Sequence, residues 1–355
     1  MRLAFFVHSL ASCWNHGNAH FLRGVVCELR ATGHHVDVWE PADGWSRTSL
    51  VREQGAAAAA ELAALFPSRT YGRDLDVAAA LAETDVAIVH EWNEPWLVAA
   101  VGASDVPALF HDTHHRAVTR PAEMQRYDLS GYAGVLAFGA AIAEVYRDRS
   151  WHDRVWTWHE AADTRRFRPL RRERERDLVW IGNWGDGERT RELQEFLFGP
   201  VRALGLSGTV HGVRYPAEGR HAIAAAGLEF RGWLPNHRAP EAFAAHRATV
   251  HVPRRPYVEA LPGIPTIRVF EALACGVPLV SAPWDDAEKL FRDGDFLWAR
   301  NGAETEEAMR AALDDPSFAA QGRATVLARH TCAHRVRELL AILAELGIGD
   351  EAVAA

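Results

Sequence analysis

The chain has 355 residues, 48% hydrophobic and 24% charged, which is enough for two packed cores and excludes a disordered chain. Its net charge of −8 argues against a broad polyanion-binding surface, so no nucleic-acid partner is expected. The four cysteines, Cys13, Cys27, Cys275 and Cys332, are scattered without paired metal-ligand spacing and read as buried thiols of a reduced, cytosolic protein.

Leu3 to Val7 reads as a buried first strand, too short for a signal core or a bilayer span. A cytoplasmic location follows as the expectation, with peripheral membrane contact left open. A polar turn from Ser12 to Asn18 leads to a helical pattern over 20–31, which Gly33 ends, and the next strand covers 36–40. The alanine-rich stretch 55–65 is strongly helical and carries no chemistry. Further buried strands are expected at 86–89, 107–110 and 134–138.

The run 164–177 is dense in charge and reads as a solvated linker. The strand signal then restarts at 178–181, followed by the turn 182–187, a helix from about Glu188, and strands at 208–211, 228–231, 248–252 and 278–281. Two similar α/β halves result: 1–165, a linker at 166–177, then 178–328, with a last helical segment at 329–355. The expected fold is two Rossmann-like doubly wound domains facing a central cleft, with a ligand crevice at the carboxyl ends of the strands.

Four constellations could carry chemistry. In the turn Gly182, Asn183, Trp184 and Gly185, glycines admit close backbone approach and the helix start adds partial positive charge, which suits an anion. Neither a dinucleotide G-x-G-x-x-G nor a P-loop pattern is present. The second holds Arg254, the loop Gly263, Ile264, Pro265 and Thr266, and a helix bearing Arg268 and Glu271 three residues apart on one face. Loop amides with an arginine suit a diphosphate, and a carboxylate suits paired ribose hydroxyls; a surface ion pair is the alternative.

The segment from Phe270 to Val280, Phe-Glu-Ala-Leu-Ala-Cys-Gly-Val-Pro-Leu-Val, resembles the E-A-x-A-C-G-x-P-V-V segment of nucleotide-sugar glycosyltransferases of the two-Rossmann GT-B fold. Within that superfamily the chain resembles the CgeB-like branch of the glycosyl-transferase group 1 proteins, related to the retaining glycogen-synthase-like enzymes. Gly17 to His20 is similar to the family's N-terminal loop, Glu160 to Pro169 to its interdomain entry, and Gly232 to Pro235 to the turn that approaches the donor's base.

The resemblance implies that Glu271 binds the donor ribose, that Pro235 lies by the base, and that the last helix crosses back onto the first domain. It also implies a second glutamate eight residues before Glu271, where this chain has Gly263, and basic residues after Gly182, where it has Asn183. Backbone N–H groups of 263–266, or Glu259, are the expected substitutes at the sugar, and Arg254 and Arg268 at the diphosphate.

The third constellation is Phe110 to Arg116, with His111, Asp112, His114 and His115. Alternating His and Asp could ligate a metal, but no second ligand cluster stands out, so no metal is expected. The resemblance places His111 toward the donor sugar. The fourth joins the loop bearing Trp14, Asn18 and His20 to Glu91 and Trp92 after the strand at 86–89, where an acceptor would sit. Glu91 or His20 could serve as general base if the reaction inverts. If it retains, as the resemblance implies, the departing phosphate takes the acceptor proton.

The expected activity is therefore sugar transfer from a nucleotide-diphosphate donor to an unidentified acceptor, with no cofactor and an undetermined oligomeric state. A nucleotide-sugar epimerase or hydrolase, or a nucleotide-sugar-binding protein without turnover, is the alternative.

Overall fold

The computed structural model of the chain describes residues 1–185 and 187–349, so Asp186 of the glycine turn and 350–355 of the C-terminal segment lie outside the described residues. The chain divides into two compact units, Met1–Glu160 with the segment from Cys332 onward, and Ala161–Thr331.

The first unit holds β1 (Arg2–Phe6), β2 (His35–Pro41), β3 (Arg69–Tyr71), β4 (Val86–His90), β5 (Ala108–Asp112), β6 (Gly134–Ala137) and β7 (Val155–Thr157). All pair in parallel in the order β3-β2-β1-β4-β5-β6-β7. A parallel sheet covered on both faces wants continuous apolar strands, and β4 and β5 are buried at every position. The helix Cys332–Glu345 belongs to this unit, packed on the helix Ala19–Ala31, and Trp158 Nε1 donates to the Arg335 carbonyl at 2.9 Å.

The second unit repeats the plan with β8 (Arg176–Ile181), β9 (Gly208–His211), β10 (Glu229–Gly232), β11 (His246–His251), β12 (Leu279–Ser281) and β13 (Leu297–Trp298), ordered β10-β9-β8-β11-β12-β13. Its core is aromatic and aliphatic, with Trp180, Phe196, Phe198, Val210 and Met309 buried together. In both sheets the winding reverses once, between β1 and β4 and between β8 and β11. Loops leave the strand ends in opposite directions at such a point, opening a crevice for ligands.

Several expectations are corrected. The edge strands β3, β7 and β13 were not anticipated; they have only two or three residues, too few for a periodic signal. The helix after the glycine turn starts at Thr190, not 188, and passes into a π-helical turn over Gln194–Phe198. The last helix starts at Cys332, not Arg329, because His330 and Thr331 pair with the backbone of Ala162. Cys27 is exposed on its helix, against the expectation of four buried thiols. Among the described residues no helix is long and apolar enough to cross a membrane.

Candidate donor and acceptor sites

The reversal between β8 and β11 is bridged by one side chain. Arg189 Nε and Nη2 donate to the Asn183 carbonyl after β8 at 3.2 and 2.7 Å, and Nη1 donates to the Val252 carbonyl after β11 at 3.1 Å. The turn is shaped to admit it. Gly185 has φ +97°, and a Cβ there would come within 2.4 Å of Arg189 Cγ. Asn183 fixes the turn by accepting from Val213 N at 2.9 Å. Burial, with Arg254 and Arg268 nearby, pulls the Arg189 guanidinium down to about 9. Arg189 escaped the sequence reading, which took basic residues to be missing here; its only signal was its place at a helix start after a glycine turn.

The other arginines are paired. Arg254 meets Glu188 at 2.6 Å, and Arg268 is ion-paired with Glu271, as the spacing of three allows. Glu271 is wholly buried, and its second oxygen accepts from Asn236 Nδ2 at 2.8 Å. Asn236 directly follows Pro235, so through this bond Glu271 fastens the turn after β10 to the helix Ile267–Cys275.

Gly263, Ile264 and Pro265 are buried, and Thr266 at the helix start is half-buried. Thr266 Oγ1 lies 3.1 Å from His251 Nε2, and His251 Nδ1 lies 2.9 Å from Ser281 Oγ. His251 therefore fixes the loop from the ends of β11 and β12; burial and Arg189 push it down to about 3, so it stays neutral. Gly263 donates to the Asp285 carbonyl at 2.6 Å. Trp184, named with the anion-binding turn, is buried and stacks on Phe198 with centroids 6.0 Å apart.

In the first unit, Glu91 and Arg116 form a buried pair at 2.5 Å, and Thr113 Oγ1 donates to Glu91 at 3.3 Å. Arg116 lies 3.9 Å over the Trp92 ring. Asp112 accepts from Tyr146 at 2.9 Å and from His114 N at 3.1 Å; burial, then Glu91, raises it to about 8. His111 is wholly buried among Trp158, His90 and Phe21, with centroids 4.8, 5.5 and 5.9 Å away, and burial lowers it to about 3. Asn18 donates to Glu160 at 2.8 Å, His20 is buried on the helix Ala19–Ala31, and His115 Nδ1 lies 3.0 Å from Thr119 Oγ1.

Trp14, Trp92 and His114 come together through a residue the sequence reading missed. Trp45 sits 6.2 Å from Trp14 and 6.3 Å from Trp92, and Trp92 sits 5.1 Å from His114. His8, just beyond β1, stacks on Trp45 at 4.5 Å, and His16 packs edge-on to His8 at 5.4 Å. Among the described residues no group of three or more His, Cys, Asp or Glu is arranged to hold a metal ion.

Residues 189–341 match the family described as glycosyl transferase-like. No curated protein matches the sequence. Solved structures do match over nearly the whole chain. Sucrose-phosphate synthase from Thermosynechococcus elongatus is 15% identical with a TM-score of 0.66, over 98% of this chain and 99% of that one. Anabaena HepE in complex with UDP and glucose is 14% identical with a TM-score of 0.68, over 97% and 99%. T4 phage BGT in complex with UDP-glucose is 14% identical with a TM-score of 0.61, over 98% and 100%. The fold is that of the GT-B glycosyltransferases, as the resemblance implied; none of these matches names the CgeB-like branch.

Proposed function

We propose that this chain, which carries a glycosyltransferase-family domain over 189–341, moves a sugar from a nucleoside-diphosphate sugar held on its second unit to an acceptor hydroxyl. The observation that carries this reading is Arg189. A guanidinium has five N–H donors, and three are taken up by the carbonyls of Asn183 and Val252, which hold it across the β8/β11 reversal. Among the described residues no carboxylate is hydrogen-bonded to it, so its charge and remaining N–H groups suit a diphosphate.

In this reading Arg254 and Arg268 add positive charge, and the turn 183–185 and Thr266 supply backbone N–H groups, those of Gly182, Gly263 and Ile264 being bonded to carbonyls already. The ribose hydroxyls take the place of Arg268 on Glu271, and Arg268 turns to the phosphates. Charge on the leaving diphosphate is stabilised by these arginines without a metal, and the phosphate accepts the acceptor proton on the same face, retaining configuration. HepE and BGT were solved with UDP or UDP-glucose, which supports a uridine donor.

A thermal-shift series with UDP, GDP, dTDP and NAD tests the reading. A nucleotide at a hundredfold its Kd adds about 2.7 kcal/mol. UDP should raise the melting temperature, and Arg189→Ala should cut the rise to about half or less. A rise with NAD alone overturns the proposal.

A further inference from the structure

We infer that the aromatic surface at the strand ends of the first unit, centred on Trp45 and Trp92, binds a neutral saccharide, the acceptor of the proposed transfer. This rests on the glycosyltransferase reading and specifies its second substrate.

The surface is built from segments that follow β1, β2 and β4, beside the β1/β4 reversal of winding, the place at which a doubly wound sheet receives ligands. Trp45 is 39% exposed, unusual for so large an apolar ring, and with half-buried Trp92 it presents two roughly perpendicular faces. Aromatic faces take the C–H side of a pyranose ring or a flat aromatic group.

Charge separates acceptors that bear phosphate or carboxylate from those that do not. Arg116 beneath Trp92 is committed to Glu91, and Arg23 donates to the carbonyls of Leu10 and Ala11 at 2.8 Å each. On the acidic side, Glu53 accepts from Trp14 Nε1 at 2.7 Å, and buried Glu40 accepts from Ser9 and Leu10 and meets Arg47. Arg116 and Arg47 are each paired with a carboxylate, and Arg23 is buried over the Phe66 ring, so an anionic acceptor meets little exposed counter-charge.

The histidines separate sugars from apolar aromatics. His8 and His16 are buried, each with its Nε2 lacking a hydrogen-bond partner among the described residues. Burial, with neighbouring positive groups, holds both rings neutral at pH 7. A neutral imidazole has one donor and one acceptor nitrogen, and a hydroxyl complements either one. Trp45 covers His8, so a polyol that shifts this ring brings hydroxyls to those nitrogens, whereas a phenyl group leaves them unmet.

The test is a binding screen of the full chain, with UDP present, against immobilised neutral glycans, anionic glycans and p-nitrophenol. A parallel UDP thermal shift on each variant reports the donor site. Neutral glycans should bind, and Trp45→Ala should weaken that binding at least tenfold while leaving the UDP shift intact. His8→Phe, which keeps the stack and removes the nitrogens, should weaken it several-fold. Preference for anionic glycans or p-nitrophenol, no glycan binding by UDP-competent protein, or an unaltered Trp45→Ala variant overturns the inference. Loss of the UDP shift in the wild type instead overturns the donor reading.

Discussion

Glu288 lies directly over Gly263. A Cβ added at Gly263 would meet Glu288 Cγ at 2.6 Å and Oε1 at 2.7 Å, and the residue has φ +82°. The loop at the start of the helix Ile267–Cys275 therefore needs glycine twice, for its backbone and for the side chain laid on it. A carboxylate that the resemblance placed at 263 is instead brought to that position from 25 residues downstream (288 − 263).

Gly263→Ala should accordingly lose about 1–2 kcal/mol from left-handed backbone strain, with a further cost from contact. Adding Glu288→Ala should recover the contact part only, because the strain stays. Urea unfolding of both single variants and the double variant measures this coupling. Strict additivity would show that the overlap with Glu288 costs nothing.

Arg189→Lys tests geometry apart from charge. Lysine keeps the charge but cannot span the Asn183 and Val252 carbonyls as a planar fork. Charge-assisted bonds are worth about 1.5–3 kcal/mol, so UDP affinity should fall roughly 10–100-fold in Arg189→Ala. Arg189→Lys should recover only part of it. Isothermal titration with UDP gives the answer, and full affinity in both variants would remove Arg189 from the donor site.

Glu271→Ala should weaken UDP binding and leave Asn236 and Arg268 without their shared partner. Glu271→Gln keeps a hydrogen-bonding oxygen and should keep the fold while losing donor affinity. Unchanged affinity in Glu271→Gln would assign this residue to fastening the Pro235 turn alone.

Arg116→Met should cost about 3–5 kcal/mol, because it strands the Glu91 carboxylate in the core. Replacing both partners with apolar residues should be much milder. Chemical denaturation decides it; a double variant as unstable as Arg116→Met would mean that the pair itself, and not the stranded charge, holds the unit together.

Acid should unfold this protein cooperatively. His16 and His211 are lowered to about 4, and His111 and His251 to about 3, each chiefly by burial. Below the ordinary value of 6.5 the unfolded chain therefore binds protons that the folded chain refuses, and stability falls as pH falls. Asp112 opposes this: raised to about 8, it holds a proton in the fold that the unfolded chain releases above its ordinary value of 3.8. His8 and His90 are lowered in the same direction, and Glu91, raised by burial, joins Asp112 on the opposing side, so the histidines outnumber the carboxyls and set the sign of the slope. Urea midpoints at pH 7, 6 and 5 should drop steeply; a flat profile would falsify the neutral burial of these rings.

Local signals in the sequence were enough for the repeated α/β plan, since buried parallel strands are continuous apolar runs and glycines punctuate the turns. The same local logic placed Arg268 and Glu271 on one helical face, because three residues is nearly one helical turn. Tertiary structure decided which groups meet across the sheets. Arg189 reaches a carbonyl 63 residues away, Glu271 is fastened by Asn236 35 residues before it, and Trp45 joins Trp14 to Trp92 from the start of the helix Trp45–Gln54. Such contacts depend on strand order and on the reversal of winding, which no periodicity within a single element encodes.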